Sequence, residues 1–202
     1  MRKIFILLAI VSVGFLGSCG EREDIVTIHT EFGDIVLLLF DETPKHKQNF
    51  LELAKGGFYD STTFHRVMDG FMIQGGDPNS KDDDITNDGI GGPGFTIEAE
   101  FNPQFTHNKG ALAAARQPDH VNPEKASSGS QFYIVEGDDG AHQLDGDYTV
   151  FGQTISGLDV VEKIALQPLG YRHRPVTDIK MTMEVTSMSR KKIAKKYGYA
   201  FE

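Results

Sequence analysis

Hydrophobic and polar positions change places in short runs along most of the chain, and the period of the alternation predicts the elements. Ile25 to Thr30 and Asp34 to Phe40 read as two strands, and Glu31-Phe32-Gly33 between them supplies a turn with glycine in it. The period then lengthens. Phe50, Leu51, Leu53 and Ala54 form a helical apolar stripe, Thr43 suits an N-cap, Pro44 suits the first helical position and Gly56-Gly57 ends the run. This helix reads as a plug or lid on a sheet. Thr62–Val67 and Phe71–Gln74 are short strands about Met68-Asp69-Gly70. Strict alternation puts His65 and Val67 on one face and Phe64 and Arg66 on the other, with Met72 and Gln74 opposite Phe71 and Ile73. Gly129–Val135 runs from loop to strand, and Leu144–Gly152 from turn to strand. Gly157–Leu166 is a second amphipathic helix on Leu158, Val161, Ile164 and Ala165, and Ile179–Met188 alternates as a half-buried strand. Many short strands with only two core helices suggest a closed β-barrel. No internal repeat or interdomain linker interrupts the pattern.

The two ends of the chain depart from it. Arg2 and Lys3, the apolar run Ile4–Leu16 and the small residues Gly17-Ser18 have the layout of a secretory signal over residues 1–18, too short for a comfortable membrane span. Leu16-Gly17-Ser18-Cys19 resembles the bacterial lipobox, whose cysteine is lipidated and becomes the mature N-terminus. Cys19 is the only cysteine, so no disulfide can form within the chain, and lipidation accounts for the lone thiol. Several acyl chains anchor far more firmly than one. The expected location is therefore the bacterial cell envelope, as a membrane-anchored lipoprotein on the periplasmic side or the cell surface. Residues 19–24 read as a polar tether, 25–188 as one domain, and 189–202 as a basic tail with Arg190, Lys191, Lys192, Lys195 and Lys196, read as a solvated helix. The formal charge of −9 argues against nucleic acid as a partner. A monomer is expected.

Several motifs are near misses. Asp84-x-Thr86-x-Asp88-Gly89 imitates the start of a calcium loop, but its twelfth position is Phe95, where a bidentate glutamate is needed. Gly91-Gly92-Pro93-Gly94 is followed by no lysine-serine pair or helix, so it is no phosphate loop. Gly129-Ser130-Gln131 lacks the second glycine of a nucleophile elbow. Neither a metal nor a cofactor is expected. What remains is Arg66 and Gln74 set among large apolar side chains, which on spacing alone fits an exposed hairpin as well as a binding surface.

The motifs separate these readings. Phe64-His65-Arg66-Val67, three residues, then Phe71-Met72-x-Gln74-Gly75-Gly76-Asp77 closely resembles the signature of the cyclophilin peptidyl-prolyl cis-trans isomerases. The resemblance continues through Gly91–Gly94 (with Phe95 where many bacterial members have tyrosine), Glu98–Phe101, His107–Arg116 and Leu144–Gly152. It spans Ile25 to Met188 and implies a closed eight-stranded antiparallel barrel capped by two helices. It also implies an enzyme acting on proline-containing segments of unfolded or partly folded proteins, here exported ones. Position by position, it implies Arg66 as the catalytic group and Phe71, Met72, Tyr133 and Leu144 as the proline pocket. Gln74 and Gln131 would hold Arg66 or the peptide carbonyl, Ala115 and Arg116 would lie along the peptide, and His65 and Tyr148 would complete the walls. The sequence departs from the family at Gln143 (tryptophan in cyclosporin-sensitive relatives), Tyr148 (often histidine), Arg116 (asparagine) and Tyr133 (phenylalanine). Activity is expected to survive and cyclosporin binding to be weak. A proline-peptide binding module without turnover is the alternative, which Arg66→Ala would separate from an enzyme.

Overall fold

The structure is a computed structural model that describes residues 21–201; the signal segment and Cys19 lie outside the described residues. Strands β1 (Arg22–Thr30) and β2 (Gly33–Leu39) form the first hairpin, followed by helix α1 (Pro44–Lys55). Then come β3 (Arg66–Met68), β4 (Met72–Gly75), β5 (Thr96–Ile97), β6 (Ala111–Arg116), β7 (Ser127–Val135) and β8 (Val150–Ser156). Helix α2 (Leu158–Ala165), strand β9 (Thr182–Ser189) and helix α3 (Arg190–Tyr197) complete the chain.

Eight strands lie in the order β3-β4-β7-β6-β8-β2-β1-β9, with β5 paired to β7 off this path, and every pairing is antiparallel. The two ends of the path meet. Phe64 N–H donates to Ile179 O at 3.0 Å, Met181 N–H to Thr62 O at 2.9 Å and Ser61 N–H to Met181 O at 2.9 Å. These bonds join the residues just before β3 to those just before β9 and close the barrel, so no long edge is left unpaired.

The interior holds Val26, Ile28, Ile35, Leu37, Phe64, Val67, Ile73, Phe132, Ile134 and Phe151, packed against Phe50 and Ala54 of α1 and Val160, Val161, Ile164 and Ala165 of α2. Phe50 meets Phe132 edge-on at 5.4 Å, an arrangement that ring quadrupoles favour. The helices cover opposite ends of the barrel, because β2 starts beneath Val160 of α2 and ends where Lys47 of α1 reaches Leu39 O. Among the described residues no helix is long and apolar enough to cross a membrane.

Three local findings differ from the sequence pattern. Thr43 precedes α1, but its hydroxyl turns to Phe40 O, and the helix N-terminus is capped from afar by Glu100, whose carboxylate accepts the N–H groups of Lys45 and His46, each at 3.0 Å. Secondly, β1 starts inside the segment read as a tether: Arg22, Glu23 and Asp24 pair with Ser189, Met188 and Ser187. Their charges hid the strand, and the buried Glu23 is tolerated because Lys47 and Arg190 reach its carboxylate. Finally, the tail is helical but is not a purely solvated helix. Ile193 is fully buried against Ile25, Val36, Leu38 and Met188, with Tyr197, Tyr199 and Phe201 partly buried around it. An eight-residue helix is marginal alone. Burial of Ile193, worth about 1.5–3 kcal/mol, holds it on the barrel.

Candidate active site

The site grows from the β3–β4 hairpin. Register sets Arg66 opposite Gln74 and Met68 opposite Met72, so all four share the outward face, while Val67 and Ile73 face the core. Strict alternation fails on either side of this pair. Phe64 points inward like Val67, because it pairs across the barrel seam rather than with β4. Phe71 lies in the turn and folds onto the outward face beside Met72, not with Ile73. Pairing then sets Tyr133 of β7 between Gln74 and Ala113 of β6. The outward faces of β4, β7 and β6 thus form a second apolar cluster, of Met72, Ala113, Ala115, Tyr133 and their neighbours, with Phe71, Leu144 and Tyr148 packed around it.

Arg66 is half-buried at the edge of this cluster. Its Nη1 donates to Gln74 Oε1 at 3.1 Å, and Nη2 lies 3.2 Å from Met68 Sδ. Burial draws its proton affinity down, with Tyr148 acting in the opposite sense, yet a guanidinium stays charged. Arginine can only donate, which fixes the direction of the whole hydrogen-bond chain. Gln74 turns its oxygen to Arg66 and donates through Nε2 to Gln131 Oε1 at 3.1 Å, and Gln131 donates in turn to Gly91 O at 2.8 Å.

Gly91 belongs to the loop that closes one side of a cleft of about 620 Å³, lined by Gln74, Gly92, Phe95, Ala115 and Gln131 among others. Asp77 holds that loop in place, since its carboxylate accepts the N–H groups of Asn79, Gly89 and Gly91. A Cβ on Gly91 would lie 2.2 Å from Asp77 Oδ1, so only glycine fits there. Gly76 is equally constrained: its φ is +85° and a Cβ would meet Ser130 O at 2.5 Å.

The substituted pocket positions each have a structural account. The Tyr133 hydroxyl faces away from the cluster and donates to His107 Nε2 at 2.9 Å, and His107 Nδ1 donates to Asp145 Oδ1 at 2.7 Å. Burial lowers the His107 pKa against the pull of Asp145, which keeps the ring neutral, and burial also raises the Tyr133 phenol. The extra hydroxyl is therefore satisfied without entering the pocket. Arg116 packs its guanidinium 4.4 Å from the centre of the Tyr148 ring, and Nε donates to Asp147 O at 2.8 Å. Asp119 neutralises its charge. Its side chain thus braces Tyr148, while its backbone continues β6 beside Ala115 along the cleft. Gln143 is exposed on the one-turn helix His142–Leu144.

His65 is the exception. It is buried behind the 77–91 loop with Asp77 and Asp88 as its nearest carboxylates, apart from the cluster that holds Phe71 and Met72. Burial lowers its pKa and leaves it neutral. It backs the loop rather than forming a pocket wall, since it stands against Gly89 and outside the cluster that holds Phe71 and Met72. Asp77, His107 and Asp145 went unselected in the sequence although all lie in family-like stretches; a polar residue held in an otherwise apolar motif was the available signal. Among the described residues no group of three or more histidine, cysteine or acidic side chains could hold a metal.

Residues 25–185 match the family model described as cyclophilin type peptidyl-prolyl cis-trans isomerase. The chain is 39% identical over 161 residues to the peptidyl-prolyl cis-trans isomerase CYP18-1 of Arabidopsis thaliana, covering 77% of this chain and 91% of that protein. It is 37% identical over 160 residues to peptidyl-prolyl cis-trans isomerase-like 3 of Rattus norvegicus, covering 76% and 90%. A crystal structure of a cyclophilin type isomerase of Cryptosporidium parvum superposes with a TM-score of 0.70 at 31% identity, covering 82% of this chain and 98% of that one. A second crystal structure of that protein, in the presence of the dipeptide Ala-Pro, gives 0.69 at 32% identity, covering 80% and 98%.

Proposed function

Because the chain belongs to the cyclophilin-type peptidyl-prolyl cis-trans isomerases, we propose that it speeds X-Pro isomerisation in exported proteins as they fold, with Arg66 as the catalytic group and a lipid at Cys19 holding it to the cell envelope. The single observation that carries the mechanism is the guanidinium held by Gln74 at the rim of an apolar cluster.

Conjugation gives an amide a rotation barrier of about 18–20 kcal/mol. Before proline the two planar forms differ by only about 1 kcal/mol, so the barrier and not the equilibrium is the obstacle. Catalysis requires the twisted amide to be bound better than either planar form. In the twisted state the nitrogen is pyramidal and recovers a basic lone pair. Arg66 is suited to donate to it: apart from Gln74, its neighbours here are the sulfurs of Met68 and Met72, which are weak acceptors and leave N–H groups free for a stronger one. Phe71, Met72, Tyr133 and Leu144 offer an apolar bed for the proline ring, which disfavours the more charge-separated planar amide. The solved relative studied with Ala-Pro supports a proline-containing ligand.

Arg66→Ala should lower kcat roughly 10²–10³-fold while peptides still bind, the scale expected when a fixed donor to the transition state is removed. A variant that isomerises X-Pro peptides as fast as the parent overturns this mechanism. The envelope reading rests on the lipobox-like Leu16–Cys19. Cys19→Ser should abolish incorporation of labelled palmitate by the producing bacterium, and undiminished labelling would refute it.

A further inference from the structure

A chain with formal charge −9 carries a concentrated cationic face. Lys191, Lys192, Lys195 and Lys196 of α3 are all exposed, and none of them pairs with a described carboxylate. Arg190, at the start of the same helix, is instead taken up by Glu21 and Glu23. Spacings of three and four residues put the lysines on one side of the helix, away from the buried Ile193.

This face stands at the point where the N-terminal segment leaves the barrel. Arg22 pairs with Ser189, the N-cap of α3, and Arg190 N–H donates to Glu21 O at 2.9 Å. Cys19 is two residues from Glu21, so it lies within roughly 7 Å of it however the chain runs. The helix itself spans only about 12 Å. An acyl group on Cys19 and the four lysines must therefore approach the same surface together. That surface is on the far side of the barrel from the apolar bed of the groove: α3 rests on the outward face of β2, β1 and β9, whereas the bed lies on the outward face of β4, β7 and β6, across the ring of strands.

We propose that α3 is a second membrane contact, whose lysines bind anionic lipid headgroups beside the anchor and turn the proline groove away from the bilayer. The geometry rests on the reading of Cys19 as the lipid attachment site. Each lysine held near an anionic surface strengthens attachment about fivefold, an effect that salt screens.

The chain has no tryptophan, so Ala194→Trp, at an exposed position beside Lys191 at the margin of the lysine face, gives a single reporter. The full chain carrying it is purified from membranes and reconstituted with brominated phosphatidylcholine, alone or with brominated phosphatidylglycerol. Emission should be quenched with the anionic lipid, recover as salt rises, and stay unquenched when Lys192, Lys195 and Lys196 are replaced by Glu. Equal emission with both lipids overturns the proposal. Unchanged isomerase activity on a soluble peptide shows that the variants are folded. A mass spectrum tells whether Cys19 carries acyl chains. If it does not, the same protein is added to the vesicles from solution: salt-sensitive quenching with phosphatidylglycerol alone upholds the contact without the anchor, and its absence overturns it. A response to added polynucleotide but not to anionic vesicles assigns the face to nucleic acid and also overturns it.

Discussion

Gln131 touches Arg66 only through Gln74, which makes Gln131→Ala a sharp test of how the guanidinium proposed for catalysis is held. Gln131 is buried, accepts from Gln74 at 3.1 Å and donates to Gly91 O at 2.8 Å. Removing its amide deletes two neutral hydrogen bonds, each worth about 0.5–1.5 kcal/mol. Only the bond to Gln74 bears on the guanidinium, so kcat should fall about 2- to 12-fold, well short of the loss expected for Arg66→Ala. KM should stay near the parent value, because the apolar cluster is untouched. If Gln131 acts solely through Gln74, the variant lacking both amides should be no slower than Gln74→Ala alone, since links in series do not add. The assay is exchange spectroscopy on an X-Pro peptide, with urea unfolding to show that the variants are folded at the assay temperature. A full rate in Gln131→Ala, or losses that multiply in the double variant, would refute a serial chain.

Other outcomes follow from the same geometry. Glu100→Ala removes the cap on α1 and should lower stability by about 2 kcal/mol in urea titrations, the upper range for a lost cap, with the rate on peptides near the parent value. Tyr133→Phe leaves the fully buried His107 without the partner for its Nε2, a stability loss of about 1–3 kcal/mol, yet keeps the ring in the pocket, so kcat/KM should change little. Acid should destabilise the fold in a defined order. Burial lowers His46, His65 and His107 from 6.5, so their contribution is fully present above that pH. As pH falls below 6.5 the unfolded chain takes up the protons first, and stability drops by up to about 1.4 kcal/mol per unit for each histidine. Glu100 and Asp145 are held below their ordinary values, so a further loss follows as pH falls from 4.5 and then 3.8. A flat urea midpoint between neutral pH and pH ~5 would contradict the assignment of neutral histidines.

Local signals in the chain anticipate the helices well: Pro44 and Gly56 bracket α1, and the stripe from Leu158 to Ala165 is α2. They fail where the deciding partner is distant. Glu100 caps a helix whose Lys45 N–H lies 55 residues away. Phe64 breaks alternation because its partner is Ile179 and not a residue of its own hairpin. The tether and tail read as polar because their charges are conspicuous, whereas the strand pairing of Arg22 and the burial of Ile193 depend on each other across the barrel. In the site, the motif resemblance named Phe71, Met72, Tyr133 and Leu144 as a set, and they do share one cluster. It could not say what becomes of Arg116 or the Tyr133 hydroxyl. Those outcomes depend on Tyr148 and His107, brought near by register alone.

The seam of the barrel has a bearing on how the chain is made. β1 is among the first parts to be synthesised, and its partner β9 among the last, with Arg22 and Ser187 separated by 165 positions. Until β9 has emerged, β1 keeps one edge unpaired, and the residues before β3 lack the Ile179 carbonyl that accepts from Phe64 N–H and the Met181 N–H that donates to Thr62 O. Contacts of such long range form slowly, and open edges invite association with other chains. A cyclophilin-type isomerase is thus built to finish its own folding late. Chains stopped short of residue 182 should aggregate rather than accumulate as smaller active barrels.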